Sequence, residues 1–319
     1  MPEMRAALYD RYGPPEVLYE GRLPVPDPKP DEVLVRVHAA TVNGGELAGR
    51  SGRMRLVTGR RFPQRTGLDF AGEIARVGAA VTGVREGERV WGMLGRSTFG
   101  SAAEYVTVRP ERIAPAPADL ALTQAVSLLA GGTTSITALR DKAGLKPGER
   151  LLVRGASGGV GSVAVQIGKL FGAHVTALAS GKNLDFVREL GADEALDHRR
   201  TRPGDLGTFD VVMDTVGTEH PVYRGLLAPG GRMVAIAFDM EHPVAGILYI
   251  LRSTVHGSRR IRAFSGNPRH ALLAELTGYA ESGDIRPVVD TVHPLGDIAA
   301  AHRALEAGGV RGKHVVQVV

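Results

Sequence analysis

Val153-Arg154-Gly155-Ala156-Ser157-Gly158-Gly159-Val160-Gly161-Ser162 is the stretch whose reading decides the fold. It follows Arg150-Leu151-Leu152-Val153-Arg154, an apolar run that reads as a buried strand, and leads into Val160 to Phe171, where apolar residues recur at helical spacing. A strand that turns through glycines into a helix brings unpaired N–H groups and the positive end of the helix dipole to one place. Small residues there let an anion approach the backbone. The pattern is A-x-G-x-x-G over Ala156, Ser157, Gly158, Gly159, Val160 and Gly161, with Ala156 where the dinucleotide fingerprint has its first glycine. The competing reading is a glycine turn that serves only close helix packing. Its setting in repeated strand–helix units favours a dinucleotide.

Those units continue outward. His174 to Ala179 reads as a strand, Leu184 to Leu190 as a helix closed by Gly191, and Glu194 to Leu196 and Phe209 to Met213 as strands. Val222 to Leu227 reads as a helix, and Arg232 to Ala237 as a strand after the turn Pro229-Gly230-Gly231. The sum is an α/β fold with a doubly wound parallel sheet of Rossmann type. Cofactor choice is set after the second strand, at Ala179-Ser180-Gly181-Lys182-Asn183. An NAD site would put an acid near there to bind the ribose hydroxyls. Ser180, Lys182 and Asn183 instead suit a 2′-phosphate, so NADPH is expected; the alternative is a helix cap with a solvated lysine.

On the N-terminal side the pattern becomes β-like, with Val33 to Ala39, Phe70 to Gly78, Glu88 to Gly92 and Ala103 to Val108 as short strands and no sustained helical period. Beyond the nucleotide segment, Arg269 to Ser282 and Asp297 to Ala307 read as helices and His314 to Val319 as a final strand. The expected division is a β-rich domain over 1–118, a nucleotide domain over 119–265, and a return to the first domain over 266–319. With no cysteine, disulfides, thiolate metal sites and cysteine nucleophiles are excluded. Redox chemistry then needs a borrowed cofactor. No apolar run is long enough to span a membrane, and the opening MPEMRAALYDRYG has no apolar core, so a cytoplasmic protein is expected. The net charge of +5 is small for 319 residues, and with aromatics at 5% there is no stacking platform for nucleic acid.

Taken in order, Val33-Leu34-Val35-Arg36-Val37 leading to Val42-Asn43, Gly67-Leu68-Asp69-Phe70-Ala71-Gly72, Gly87-Glu88-Arg89-Val90, Ala103-Glu104-Tyr105, Gly131-Gly132-Thr133-Thr134, Leu190-Gly191-Ala192-Asp193 and Gly312-Lys313-His314-Val315-Val316 extend the fingerprint along nearly the whole chain. The chain thereby resembles the medium-chain dehydrogenase/reductase superfamily, in its zinc-independent quinone oxidoreductase branch. The resemblance implies a discontinuous GroES-like catalytic domain with a Rossmann domain inserted in it. It also implies a homodimer through the last Rossmann strand, around Arg260 to Phe264. It places Ser180 and Lys182 in the NADPH-recognition loop, and Thr133, Thr134, Phe238 and Phe264 along the cofactor. It puts Asn43 beside the nicotinamide, as an amide donor; the competing reading of Asn43 is a turn residue before Gly44-Gly45.

Zinc-dependent members carry a Cys in the stretch that here is Val42 to Glu46 and a His in the one that here is Gly67-Leu68-Asp69. Neither ligand is present. His38, Glu46 and Asp69 offer other donor atoms, but polar residues at strand ends more often bond to backbone, so no metal is expected. Many relatives also carry a Tyr in the stretch that here is Leu47 to Gly52, where this chain has none.

Without a Lewis acid, the accessible chemistry is hydride transfer to a quinone or an α,β-unsaturated carbonyl, whose charge moves onto an oxygen that needs only hydrogen-bond donors. Alternatives are a specialised enoyl reductase of a biosynthetic pathway and a non-catalytic NADPH- or RNA-binding sensor. Arg50, Arg53, Arg55, Arg60, Arg61 and Arg65 crowd one stretch and are expected to form a solvated mobile loop; the sharper reading is an anchor for an anionic substrate. Arg252, His256, Arg259, Arg260 and Arg262 form a second basic group. Asp214, His198 and Lys313 are expected near the site without catalysing, Asp214 as a loop cap.

Overall fold

The structure, a computed structural model, describes residues 2–95, 98–237, 248–250, 252–253 and 259–319. These form two compact units, one of residues 1–130 with 267–319 and the other of 131–266.

The first unit opens with β1 (Glu3–Tyr9), β2 (Tyr19–Pro24), β3 (Val33–Thr41), the short helices α1 (Gly44–Arg50) and α2 (Arg55–Thr58), β4 (Gln64–Arg65), β5 (Asp69–Val77), β6 (Arg89–Met93), β7 (Tyr105–Val108) and β8 (Ile113–Pro115). The two helices lie where the sequence shows no sustained helical period. They are too short to show a period, which is why pattern reading passed them over. Strands β2-β1-β4 make one small sheet. The larger sheet runs β15-β16-β3-β5-β6-β8, with β7 also on β3, where β15 is Val289–Pro294 and β16 is Lys313–Gln317. Strand β16 pairs antiparallel with β3, Val315 opposite Thr41, so the chain's last strand closes the sheet begun by its first third. Alternate residues Val33, Val35 and Val37 of β3 join Phe70, Ile74, Val90, Ile113 and Val316 in one core.

The helix α3 (Leu122–Ile136) carries the chain across the division, which falls within it rather than at 118. Its last turn continues as a π-helical segment, Thr137–Ala143, stopped by Gly144 in the left-handed region. The second unit then alternates β9 (Arg150–Arg154), α4 (Gly161–Leu170), β10 (His174–Ala179), α5 (Leu184–Glu189), β11 (Glu194–Asp197), β12 (Phe209–Asp214), α6 (His220–Gly225), β13 (Leu227–Ala235) and β14 (Ile261–Ala263). All pairings are parallel, in the order β11-β10-β9-β12-β13-β14, so the crossover after β11 makes β9 and β12 neighbours at the sheet's centre. The expected turn at Pro229-Gly230-Gly231 is instead absorbed into β13, whose register against β12 shifts between Phe209 and Val211. The chain returns to the first unit through α7 (His270–Glu281) and α8 (Ile298–Ala307), the latter burying Ile298 and Ala301 in the β core. Among the described residues, no helix is long and apolar enough to cross a membrane.

Candidate functional site

In the second unit the fingerprint turn is held by close backbone contacts that only glycine permits. Gly155 has φ +70°, and a Cβ there would lie 2.4 Å from the Thr215 hydroxyl. A Cβ on Gly161 would lie 2.1 Å from the Gly155 carbonyl, and one on Gly131 of α3 would lie 2.2 Å from the Gly159 carbonyl. Gly158 is different. Its Cβ would meet nothing nearer than 3.5 Å, so the turn presents open space there. Ala156 donates its N–H to the Leu178 carbonyl at 3.0 Å, which ties the turn to β10.

The donor set fits a dinucleotide. Helix α4 starts at Gly161, directly after the turn; Ser162 N–H is given to the Gly158 carbonyl and Ala164 N–H to Val160, so the room for an anion lies at Gly158 itself. The hydroxyls of Ser162, in the first turn of α4, and Ser180, after β10, are buried without a hydrogen-bond partner. Asn183 is fully buried and gives its amide to Ser157 Oγ at 3.1 Å. It therefore braces the glycine turn from behind, and on the same loop Lys182 is exposed while the Ser180 hydroxyl is buried. The structure adds an acid that sequence spacing did not find: the Asp197 carboxylate, from the end of β11, lies 2.8 Å from where a Cβ on Gly181 would be. His198 donates its N–H to the Ala179 carbonyl at 3.0 Å. Thr133 is buried and Thr134 half-buried, both one turn beyond Gly131; Phe264 is half-buried just after β14. Phe238 and His256 lie outside the described residues.

Asp214 does cap its loop, accepting the N–H groups of Val216 and Gly217 at 3.0 and 3.3 Å. It also pairs with Arg154 at 3.1 Å and lies 3.1 Å from His220 Nε2, while the Arg154 guanidinium stacks 3.6 Å over the Tyr223 ring. These contacts fasten the loop at the carboxyl ends of β9 and β12, where open parallel sheets bind ligands.

In the first unit, Asn43 belongs to a buried polar cluster drawn from four elements. Asn43 Nδ2 donates to Glu46 Oε1 at 2.9 Å and to Thr41 Oγ1 at 3.2 Å, and Lys313 Nζ donates to Asn43 Oδ1. Asp69 accepts the Thr41 N–H at 2.9 Å and its hydroxyl at 2.7 Å. Glu46 Oε2 accepts the Thr66 hydroxyl and the Gly67 N–H, both at 3.1 Å. Thr41, Glu46, Asp69 and Lys313 are all at most 5% exposed, so Asn43, half-buried, is the member that reaches the surface. Asn43 makes no side-chain cap to α1. Sequence reading named Asn43, Glu46, Asp69 and Lys313 singly but missed Thr41, Thr66 and the network. The available signal was ionisable residues at inward positions of apolar strands, Asp69 opening β5 and Lys313 opening β16.

Two carboxylates and one ammonium share this enclosure, and the electrostatics follow from that imbalance. Burial, reinforced by the Asp69 charge, pushes the Glu46 carboxyl up to about 7. Burial also raises Asp69, with Lys313 opposing, and lowers Lys313, with both acids opposing. A carboxyl whose folded value lies above its unfolded one makes stability fall as pH rises between the two, here from about 4.5 to about 7. The melting temperature of the protein should fall through that window while Glu46→Gln changes less; the difference corresponds to about 3 kcal/mol at most. Equal slopes in the two proteins would contradict it. Among the described residues, no group of three or more His, Cys, Asp or Glu side chains is arranged to hold a metal ion. His38 instead lies 3.6 Å from Glu73.

The arginine stretch is corrected by the structure. Arg50 is not in a solvated loop: it ends α1, is 1% exposed and pairs with Glu306 of α8. Its Nε and Nη1 atoms find no partner, and burial together with the Arg50 charge lowers the neighbouring buried His302 to about 3. Arg65 lies in β4 with its guanidinium over Gly100. Arg53, Arg55, Arg60, Arg61 and Arg65 are exposed. A buried guanidinium with unmade hydrogen bonds is poor value for stability, so Arg50→Met is expected to leave unfolding free energy unchanged or raise it by about 1 kcal/mol in a denaturant titration.

A parallel sheet with a glycine turn at a helix N-terminus defines a dinucleotide-binding Rossmann domain. Residues 29–118 match the family described as Alcohol dehydrogenase GroES-like domain, and 190–316 the one described as Zinc-binding dehydrogenase. The chain is 33% identical to 2-methylene-furan-3-one reductase of Solanum lycopersicum, over 99% of this chain and 80% of that protein. It is 34% identical to the chloroplastic NADPH-dependent alkenal/one oxidoreductase of Arabidopsis thaliana, over 98% and 79%. The quinone oxidoreductase structure from Coxiella burnetii superposes with a TM-score of 0.92 at 28% identity, covering 100% of both chains. The chain belongs to the zinc-independent quinone oxidoreductase branch of the medium-chain dehydrogenase/reductase superfamily.

Proposed function

We propose that this protein is an NADPH-dependent reductase that passes hydride to a quinone or an α,β-unsaturated carbonyl. The observation that carries the reading is the second unit's glycine turn, open at Gly158, with Lys182 exposed on the loop after the next strand. The printed names of the tomato and Arabidopsis relatives, a furanone reductase and an NADPH-dependent alkenal/one oxidoreductase, support the substrate class. When bound, NADPH supplies the hydride. The turn at Gly158 and the exposed Lys182 would hold phosphate, Asn183 keeps the turn rigid through Ser157, and Thr133, Thr134 and Phe264 shape the neighbouring surface. In the first unit, Asn43 offers the amide through which a substrate carbonyl is met.

Asp197 beside Gly181 is the one feature that would favour NADH, so the test measures both nucleotides. NADPH and NADH oxidation is followed against quinones, linear and cyclic enones and enoyl thioesters. Turnover with NADPH is expected, and Lys182→Ala should raise the KM for NADPH about tenfold or more while leaving NADH within about twofold, because only the 2′-phosphate loses a charge-assisted bond. Equal loss with both nucleotides would refute the phosphate role, and no turnover with any acceptor would refute the reductase.

We also propose a homodimer. Strand β14 is the sheet's edge, pairing with β13 alone among the described strands. Light scattering should give twice the 33.7 kDa chain mass; a monomer mass would contradict it.

A further inference from the structure

The buried cluster has an unequal inventory: Glu46 and Asp69 against Lys313, with Asn43 as the member at the surface. Asn43 is bound at both ends of its amide. Lys313 holds Oδ1, which fixes which atom is oxygen, and Nδ2 is spent on Glu46, on the hydroxyl and carbonyl of Thr41 and, at 3.4 Å, on Asp69. In that arrangement the amide has little to offer a substrate. Of its two carboxylate acceptors, Glu46 Oε1 is the nearer and has no other donor, whereas Asp69 Oδ2, at 3.4 Å, is also held by the Thr41 hydroxyl, so Glu46 is the one whose protonation frees an N–H.

We propose that Glu46 and Lys313 are positioning residues that make Asn43 a protonation-controlled donor: when Glu46 takes up a proton, an Asn43 N–H is released to the carbonyl of the substrate.

The geometry says where that proton goes. Glu46 Oε2 accepts two donors, the Thr66 hydroxyl and the Gly67 N–H, and so stays the carbonyl-like oxygen. Oε1 faces only Asn43 Nδ2 at 2.9 Å, so it becomes the hydroxyl, and a neutral carboxyl oxygen is a much weaker acceptor than a carboxylate. The charged and titratable groups facing Glu46 are Asp69 from β5, Lys313 from β16 and, more distantly, Tyr9 from β1, which itself senses Arg50 of α1. Protonation leaves one carboxylate against one ammonium, a neutral buried set, which is why the proton is taken up near neutral pH. Lys313 meanwhile keeps Oδ1, so the amide does not turn over. Hydride addition to the β-carbon of an enone moves an electron pair onto the carbonyl oxygen; the released N–H donates to that oxygen, and the α-carbon proton comes from water.

The inference rests on the reductase reading, and the experiment separates the two. With NADPH and cyclohexenone, kcat of the full chain should fall about tenfold per pH unit above about 7, while Glu46→Gln stays flat across that range. A second measurement needs no cofactor. In 15N-labelled protein, the side-chain amide signal of Asn43, assigned by its loss in Asn43→Ser, should shift with pH through the same range and stop doing so in Glu46→Gln. If Glu46→Gln does not fold, the shift in the wild-type protein and a retained titration in Lys313→Arg, which keeps the charge, carry the test. An Asn43 signal that does not titrate, or a kcat break unchanged in Glu46→Gln, would overturn the proposal. Absence of any NADPH-dependent turnover alongside a titrating Asn43 would overturn the reductase reading and leave the proton-controlled amide standing.

Discussion

Gly158→Asp should fold like the wild-type protein and lose its nucleotide. A Cβ at this position meets nothing closer than 3.5 Å, and Gly158 is not in the left-handed region, so the side chain is accommodated without backbone movement. What the substitution changes is the ligand's side of the turn, where it puts a carboxylate against pyrophosphate at the one place built for an anion. Binding of NADPH, read by calorimetry, should weaken at least about a hundredfold, or about 2.7 kcal/mol, with the melting temperature within about 2 °C. Gly161→Ala should do the reverse of this in order of cause. Its Cβ would lie 2.1 Å from the Gly155 carbonyl and 2.8 Å from Ala156 Cα, both backbone atoms that cannot swing away. It should destabilise the protein by about 3 kcal/mol, with binding lost as the turn shifts. If Gly158→Asp bound NADPH normally, the turn would be a packing device and the nucleotide reading would fall.

Lys313→Met should be the most damaging single substitution in the first unit. Methionine keeps most of the volume and removes the charge, leaving Glu46 and Asp69 buried together without a cation. Breaking such a set by removing one partner costs about 3–5 kcal/mol, since the remaining charge is left uncompensated. The sign of the pH dependence follows from the raised carboxyls: at low pH Glu46 and Asp69 take up protons and the loss shrinks, while above about 7 it is largest. Urea unfolding at two pH values, one below and one above that point, checks this. A loss that is equal at both, or larger at low pH, would mean that Lys313 stabilises by packing and not by charge.

The nucleotide half of the protein was readable because its determinants are local. Strand β9, the turn and helix α4 lie within about twenty residues, and buried parallel strands announce themselves as apolar runs. Ser180, Lys182 and Asn183 were proposed for the 2′-phosphate by counting from the fingerprint. Their separate tasks were not, because a buried amide bracing Ser157 and an exposed lysine look alike in sequence. Asp197 was missed for a different reason: it reaches Gly181 through the pairing of β10 with β11, and spacing along the chain does not report a neighbouring strand. The arginine stretch failed in the same way. Nothing local to Arg50 says that Glu306 waits for it on α8.

The sequence by itself determined the alternation of strands and helices, the phosphate turn and the absence of any thiol ligand, because periodicity, glycine conformation and composition act over a few residues. Only the tertiary structure decided that Thr41, Asn43, Glu46, Asp69 and Lys313 make one enclosure. They meet because β16 closes on β3 and β5 pairs with β3, and that register is set by burying a common core. Once water is excluded there, two acids and one base must settle their charge among themselves, which no residue's neighbours in the chain could specify.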